Sequence, residues 1–236
     1  MRRILFAVFL VVACATGAVA DSYEDAVSAF QRGDFMLAAR LFRSLAEQGN
    51  AEAQSSLGWM YEHGQGVSQD AQEAVQWYRK AAEQEIAIAQ TRLGMMYHEG
   101  QGVLQDYKEA LKWCRKAAEQ GDVSAQGMLG QMYEKGQGVP QNDQEALKWI
   151  RLAAVQGEAT QQGKLGLGYQ FGIGVPQDFV RAHMWFNVAA AALSGDIRNT
   201  AMKNRHDVAL QMTAEQIGKA REMAKRCQKT KFKECD

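Results

Sequence analysis

A pair of glycines around one residue, followed closely by an acidic side chain, is the first pattern in this chain that could serve chemistry. It stands in the stretch YEHGQGVSQD, from Tyr61 to Asp70, and a loop of this kind can hold a phosphate with its backbone N–H groups. Equivalent stretches begin at Tyr97, Tyr133 and Tyr169, each 36 residues after the one before. A phosphate-binding loop follows a buried strand and holds one anion, so four evenly spaced copies favour turns over a phosphate site.

Histidine and cysteine, the usual metal-binding and nucleophilic residues, form no recognisable motif. The four histidines, at 63, 98, 183 and 206, include no His-Glu-x-x-His pair, and no cysteines have the spacing of a metal site. No candidate nucleophile has identifiable catalytic partners nearby in the sequence, although a site assembled only in space would escape this search. The sequence therefore predicts no metal site, no cofactor and no enzymatic activity.

The first twenty residues have the layout of a secretory signal peptide. Two arginines precede an apolar stretch at 4–13, and small residues at 18 and 20 offer a cleavage site after Ala20. The apolar stretch is shorter than the roughly 20 residues that a membrane-spanning helix needs. A second interpretation remains open, because Cys14 follows residues that resemble a lipoprotein processing site and would then become the lipidated first residue. We expect a soluble periplasmic or secreted protein that begins at Asp21, with a lipoprotein anchored through Cys14 as the alternative.

Charge and composition argue against a nucleic-acid partner and for helices. Cleavage at this site removes two of the 27 basic residues and none of the 27 acidic residues, which leaves a net charge near −2. No basic stripe or basic-aromatic pattern is present, so we expect no nucleic-acid partner. Only two prolines, Pro140 and Pro176, interrupt a sequence rich in strong helix formers, which predicts an all-α fold.

The internal repeat extends well beyond the glycine pair and aligns without gaps. Its shared positions, given for the first copy, are Leu57, Gly58, Tyr61, Gly64, Gly66, Val67, Ala74, Trp77, Ala81 and Ala82. Self-similarity at such a period is typical of a solenoid of stacked helical units. Apolar residues at helical spacing predict two helices in each unit, in the first at about 51–63 and about 70–83.

The glycines and acidic residues of the repeat have roles in ending and starting these helices. We expect Gly64 to close the first helix in the left-handed conformation and Gly66 to let the chain reverse. Asp70 is the expected N-cap of the second helix, with Glu73 completing a capping box. Gly58 lies inside a helix, where glycine costs up to about 1 kcal/mol relative to alanine. We therefore expect a neighbouring helix to approach Gly58 closely, at its alanine pair.

Together these residues resemble Sel1-like repeats, which are relatives of the tetratricopeptide repeat. The resemblance covers residues 51–195 as four repeats and implies a right-handed α/α solenoid of helix-turn-helix units with helical caps. Residues 21–50 keep only the second-helix pattern and resemble a shorter tetratricopeptide-like N-terminal cap, since terminal units of solenoids are usually atypical. Residues 196–236 are similar to the tail that follows the last repeat in many bacterial exported proteins. We expect a C-terminal helical cap there, with a capping box from Thr213 and Gln216.

The cysteines fit an exported protein of this kind. In an oxidising compartment Cys227 and Cys235 would most simply form one disulfide that pins the tail to the last helix, and the exported proteins that this chain resembles often end with such a pair. Cys114 occupies a position that is apolar or aromatic in the other repeats. We expect it to be a free, buried thiol that acts as a small hydrophobic residue.

Positions that differ among the repeats indicate where recognition would occur. Core positions must recur for the units to stack, so we expect the variable positions of the first helices to face solvent in one stripe per helix. The resemblance implies that first helices line the concave side, where these stripes would form a groove for a protein or peptide partner. The predicted groove residues are Ser55, Trp59, Glu62, Thr91, Met95, His98, Gln131, Glu134, Leu167 and Gln170. Trp59, Met95 and Leu167 would be its apolar anchors, unless Trp59 only covers a seam beside the cap.

The sequence therefore predicts an exported, monomeric scaffold for protein interaction or regulation that is not an enzyme. Two alternatives remain open. One is a hydrolase of cell-wall or β-lactam-like substrates, an activity linked to cysteine-rich Sel1-like relatives whose repeats are each braced by a disulfide that this chain lacks. The other is a structural lipoprotein tethered through Cys14.

Overall fold

The computed structural model describes residues 22–235, which form twelve α-helices and no β-strand. The helices are α1 (Tyr23–Gln31), α2 (Phe35–Glu47), α3 (Ala51–His63), α4 (Ala71–Glu83), α5 (Ala87–Glu99), α6 (Tyr107–Glu119), α7 (Val123–Lys135), α8 (Asp143–Ala154), α9 (Ala159–Phe171), α10 (Phe179–Ala192), α11 (Gly195–Ala209) and α12 (Ala214–Lys229). The predicted signal peptide, its cleavage site after Ala20 and Cys14 lie outside the described residues. Among the twelve helices, none is both long enough and apolar enough to cross a membrane.

Each helix from α1 to α10 packs against the next one along the chain, and α10 also packs against α12. The pairs α3–α4, α5–α6, α7–α8 and α9–α10 form the four predicted helix-turn-helix units. The conserved leucine of the units, Leu57 in the first, is fully buried in all four. The chain is therefore an all-α helical repeat solenoid, as the sequence predicts.

In the turn between the two helices of a repeat, the glycines adopt the predicted left-handed backbone conformation. Gly64 ends α3 with a φ of 66°, and its N–H donates to the carbonyl of Met60. Gly66 follows with a φ of 71°. A Cβ atom at Gly66 would also overlap the carbonyl oxygen of Phe35, at the start of the second helix of the preceding unit. The second glycine is thus required both by the turn and by the stacking of one unit on the next.

The capping boxes predicted at the second helices are only half formed. Asp70 is the N-cap of α4, and its Oδ1 accepts from the N–H groups of Gln72 at 2.9 Å and Glu73 at 3.1 Å. The N–H of Asp70 donates instead to the carbonyl of Tyr61 at 2.9 Å, so the Glu73 side chain does not complete the box. The prediction was wrong here because the preceding helix already satisfies this donor. At α12 the box of Thr213 and Gln216 is complete and the prediction is confirmed.

The glycine inside each first helix faces a side chain rather than the alanine pair. A Cβ atom at Gly58 would lie 2.8 Å from Cδ1 of Tyr78, within the second helix of the same unit. At Gly94 it would lie 2.5 Å from Sγ of Cys114. The close approach was predicted correctly but at the wrong residue, three positions before the alanines, where the side chain differs in every repeat.

Buried glutamines connect successive units and were not predicted. Gln54 of α3 donates through Nε2 to the carbonyl of Ala46 in α2 at 3.0 Å. Its Oε1 accepts from Nε2 of Gln84, which follows α4, at 2.8 Å. The same pair recurs as Gln90 with Gln120 and as Gln126 with Gln156. Recurrence of a glutamine every 36 residues among apolar core positions is the signal that could have identified this ladder.

The C-terminal cap consists of α11, α12 and the tail that follows them. Cys227 and Cys235 form the predicted disulfide, which holds the tail against the end of α12. Cys114 is free and fully buried, as predicted. Burial, and then the negative charge of Asp122, raise the pKa of this thiol to about 12, so it remains neutral.

Candidate functional site

A cavity of about 430 Å³ opens between α1, α3 and α5, on the side of the solenoid formed by the first helices. We call this side the first-helix face and the cavity the N-terminal cavity. Its lining residues are Tyr23, Val27, Phe30, Phe42, Glu52, Ser55, Ser56, Trp59, Met60, Tyr78, Ile86, Ile88 and Arg92. Five of these are aromatic, and Glu52 and Arg92 are the charged ones. The cavity therefore combines a large apolar wall with a small number of polar groups, as binding sites commonly do.

Trp59 belongs to this wall and packs against two other rings. Its ring packs edge-on against Phe30 of α1, with centroids 5.4 Å apart. The ring of His63 stacks on it at 4.2 Å, and His63 Nδ1 lies 2.9 Å from the carbonyl oxygen of Trp59. Trp59 thus covers the seam beside the N-terminal helices, which was the alternative interpretation, and it also lines the cavity.

The second repeat departs from the others where it forms the cavity wall. The other repeats have Gly49-Asn50, Gly121-Asp122 and Gly157-Glu158 at the start of the first helix, whereas this repeat has Glu85-Ile86. Asn50, Asp122 and Glu158 cap their helices through the side chain, but Ile86 makes no such bond. Glu85 takes a left-handed φ of 66°, where the other repeats have glycine.

These departures lower local stability and supply the cavity with apolar surface. A lost N-cap costs about 1 kcal/mol, and a left-handed conformation at a non-glycine residue costs roughly 1 to 2 kcal/mol. Ile86 and Ile88, both in the cavity wall, occupy positions that are polar in the other three repeats. Residues that lower local stability without improving the local structure are typical of functional sites. A comparison of the repeats at these positions would have identified them from the sequence.

A buried tyrosine of the cavity wall holds the carboxylate of Glu62, which lies beside the cavity. Tyr78 donates its hydroxyl hydrogen to Oε2 of Glu62 at 2.6 Å. Burial, and then the hydrogen bond and charge of Glu62, raise the pKa of Tyr78, so the hydroxyl remains a donor. Arg92, which lines the cavity, lies with Nη1 3.7 Å from Oε1 of Glu62. The two charges are therefore positioned beside the apolar wall.

Of the predicted groove residues, the structure brings Ser55 and Trp59 into the cavity and places the rest further along the first helices. Met95, Gln131 and Gln170 are half-buried. His98 lies with Nε2 3.1 Å from Oε1 of Gln137, and Glu134 forms an ion pair with Lys164 at 3.2 Å. Leu167 packs against the C-terminal core.

The expectation that all variable positions face solvent was wrong for the first slot of the stripe. Ser55 is 9% exposed and Thr91 is 4% exposed. The Thr91 hydroxyl donates to the carbonyl of Ala87 within its own helix. A buried position can vary between repeats when its neighbours differ, and at Ser55 the neighbouring space is the cavity itself.

Metal binding has no support in the described part of the chain. No group of three or more His, Cys, Asp or Glu side chains in residues 22–235 is arranged to hold a metal ion. His63 and His98 have separate partners, the Trp59 ring and Gln137.

Comparison with known proteins supports the repeat assignment. The family model for the Sel1 repeat matches residues 23–50, 51–85, 87–122, 123–158 and 162–192. The first match covers most of residues 21–50, the predicted N-terminal cap. No protein with a curated description matches the chain.

Two bacterial crystal structures are similar over most of this chain. One is a protective antigen of uropathogenic Escherichia coli strains with an SLR fold; it is 32% identical, has a TM-score of 0.74, and the match covers 88% of this chain and 47% of that one. This chain therefore spans about half the length of the antigen. The other is a Sel1 repeat protein from Oxalobacter formigenes, 30% identical with a TM-score of 0.71, and the match covers 82% of this chain and 87% of that one.

Proposed function

The chain belongs to the Sel1 repeat family, whose members generally mediate protein–protein interaction, and from this premise we propose that it is a monomeric scaffold that binds a protein or peptide partner through its first-helix face. Sel1 repeat scaffolds are generally not enzymes, and we propose no catalytic role. The hydrolase alternative lacks support, because the disulfide of residues 22–235 joins the tail to α12 and does not brace a repeat.

The N-terminal cavity is the observation that carries this proposal. Its volume of about 430 Å³ lies within the range of about 300–1,000 Å³ that is usual for ligand sites. Ile86 and Ile88 give it apolar surface at the expense of a helix cap. We propose that a large apolar or aromatic side chain of the partner enters the cavity, since interfaces concentrate their energy in such anchors.

Polar groups around the cavity would orient the partner. Arg92 can pair with a carboxylate of the partner, and Glu62, held by Tyr78, can pair with a cation. The remaining predicted groove residues, Thr91 and those from Met95 to Gln170, would extend the contact along the first-helix face. We propose that this extension supplies complementarity and that most of the affinity comes from the cavity.

We also propose export by the signal peptide at residues 1–20, with a mature N-terminus at Asp21. The disulfide and the absence of a helix suited to cross a membrane in residues 22–235 are compatible with an exported protein. Intact mass of the protein recovered from the cell envelope and medium tests this. A mass that includes a lipid on Cys14 would favour the anchored alternative instead.

The binding proposal is tested by a matched pair of exposed isoleucines. Ile88 lines the cavity and is 57% exposed, whereas Ile197 on α11 is 59% exposed and lies outside it. A photo-crosslinking residue at each position identifies partners in the cells that make the protein, and we expect capture from position 88. The affinity of the captured partner is then measured with Ile88→Asp and Ile197→Asp. We expect Ile88→Asp to weaken binding about tenfold or more and Ile197→Asp to leave it unchanged, with both melting curves like wild type. Equal affinities for the two variants would place the partner site elsewhere on the solenoid.

A further inference from the structure

A second cavity, of about 230 Å³, lies between α10, α11 and α12 in the C-terminal cap. We call it the C-terminal cavity. Its lining residues are His183 and Asn187 from α10, Arg205, His206 and Ala209 from α11, and Ile217 and Arg221 from α12. It shares no residue with the N-terminal cavity, and its chemistry is different.

The charges at the C-terminal cavity are positive and unbalanced. None of the seven lining residues carries a carboxylate. Arg205 donates through Nη1 to Oδ1 of Asn187 at 2.5 Å, and this acceptor is neutral. Neither Arg205 nor Arg221 forms an ion pair with a carboxylate of residues 22–235. Two like charges beside one cavity repel each other, and a bound anion would turn that repulsion into attraction.

His183 adds a second, independent sign that a ligand belongs here. The residue is 4% exposed, and within the described chain its Nδ1 has no hydrogen-bond partner. A buried polar atom left unpaired costs about 1 to 3 kcal/mol, so such an atom in a native protein calls for an explanation. Burial, and then the charges of Arg205 and Arg221, lower the pKa of His183 to about 4. The ring is therefore neutral at neutral pH, and the two guanidinium groups supply the positive charge.

We infer that the C-terminal cavity binds a small oxyanion, a phosphate or a carboxylate group, between Arg205 and Arg221 and beside His183. The guanidinium group presents its N–H donors in a planar fork that matches the two oxygens of a carboxylate or phosphate. A volume of about 230 Å³ suits a small anion or a small acid rather than a folded partner. The site is independent of the proposed protein-binding face.

Anion binding would be detected as a change in the pKa of His183, which depends on the charged groups that face this ring. They are Arg205 and His206 from α11 and Arg221 from α12. A negative charge among them stabilises the imidazolium form of His183, so binding raises its pKa, and the site binds more tightly as the ring becomes protonated.

The experiment is a titration of inorganic phosphate, and separately of acetate, into the protein at constant ionic strength, followed through the ¹⁵N NMR signals of His183. We expect a saturable change with at least one anion and a higher pKa of His183 when that anion is bound. A saturable change with phosphate alone, with acetate alone or with both then identifies which oxyanion the site prefers. A change that does not saturate with either anion would overturn the inference, because it would reflect general salt effects.

A matched pair of charge-removing variants completes the test. Arg221→Gln removes a cation from the cavity, and Lys219→Gln removes one from an exposed position on the same helix outside it. We expect Arg221→Gln to weaken anion binding about tenfold or more and Lys219→Gln to leave it unchanged. Without anion, Arg221→Gln should melt no lower than wild type, because it relieves the repulsion. Equal weakening by both variants, or none by either, would also overturn the inference.

Discussion

At the scale of single residues, one position of the repeat shows how a shared fold acquires local chemistry. The glycine inside each first helix faces Tyr78, Cys114, Ile150 or Phe186 in successive repeats. Because the glycine leaves space, this position accepts side chains of different size without changing the helix pair. In the first repeat the residue is a tyrosine that lines the N-terminal cavity and holds Glu62. In the second repeat it is a thiol with a raised pKa, which only packs.

His183 should make the stability of the protein depend on pH. Its folded-state pKa is lowered from 6.5 to about 4, so between these values the unfolded chain binds a proton and the folded chain does not. The stability it contributes is therefore complete above pH 6.5 and is lost as the pH falls towards 4, at up to about 1.4 kcal/mol per pH unit. Urea unfolding in phosphate-free and acetate-free buffer measures this. We expect His183→Asn to lose roughly 2 kcal/mol less than wild type between pH 6.5 and 5.

The matched control is the exposed histidine of the same cavity. His206→Asn removes an exposed imidazole and leaves the buried ring of His183 in place, so we expect it to keep the acid sensitivity that His183 causes. If His183→Asn lost as much stability on acidification as wild type, burial of His183 would not be the cause of the acid sensitivity.

At the scale of helices and turns, the sequence predicts whatever depends on neighbours along the chain. The bounds of α3 and α4, the left-handed Gly64 and the N-cap Asp70 depend on residues within a few positions, and all were predicted. The half-formed capping box could not be predicted, because the competing acceptor, the carbonyl of Tyr61, belongs to another helix. The N-terminal cavity could not be predicted for the same reason, since it forms where α1, α3 and α5 meet. The groove along the first helices stays a prediction, and the cavity wall also includes Ile86 and Ile88, which lie outside the predicted stripe.

At the start of α5, Glu85 and Ile86 lower local stability, and Ile86 also lines the N-terminal cavity. Glu85 has a left-handed φ of 66° and an exposed side chain that does not line the N-terminal cavity. Glu85→Gly should therefore stabilise the protein by about 1 kcal/mol, because glycine adopts this conformation without a steric cost. It should leave partner binding unchanged. Thermal and urea unfolding measure the gain.

The neighbouring Glu83 provides the control for this substitution. It is the last residue of α4, so Glu83→Gly removes the same side chain from a helical conformation and should destabilise by up to about 1 kcal/mol. Opposite signs for the two variants would attribute the effect to backbone conformation. A destabilising Glu85→Gly would show that the glutamate side chain itself stabilises the turn.

At the scale of the whole molecule, the core is a series of clusters rather than one unit. The described residues form successive apolar clusters from α1 to α12. One of these clusters joins two units, since Trp113 of α6 belongs to the same cluster as Ala74 and Tyr78 of α4. Buried glutamines make polar contacts across the same boundaries. Stability in such an arrangement depends mainly on contacts between nearest neighbours.

Trp113→Ala should therefore weaken the middle of the solenoid and separate the unfolding of its two ends. Trp113 is 4% exposed, and loss of a buried tryptophan costs roughly 3 to 5 kcal/mol. Because the cost falls on the boundary between α4 and α6, we expect hydrogen exchange to accelerate from α1 to α6, while α9 to α12, closed by their own cluster and the disulfide, keep their protection. Leu104→Ala is the control: this leucine is 91% exposed, so its removal should change neither melting nor exchange. Uniform acceleration across all helices in Trp113→Ala would mean that the solenoid unfolds as a single cooperative unit. In that case a partner held at the N-terminal cavity would stabilise α12 as much as α1, whereas separate unfolding confines that stabilisation to the helices around the cavity.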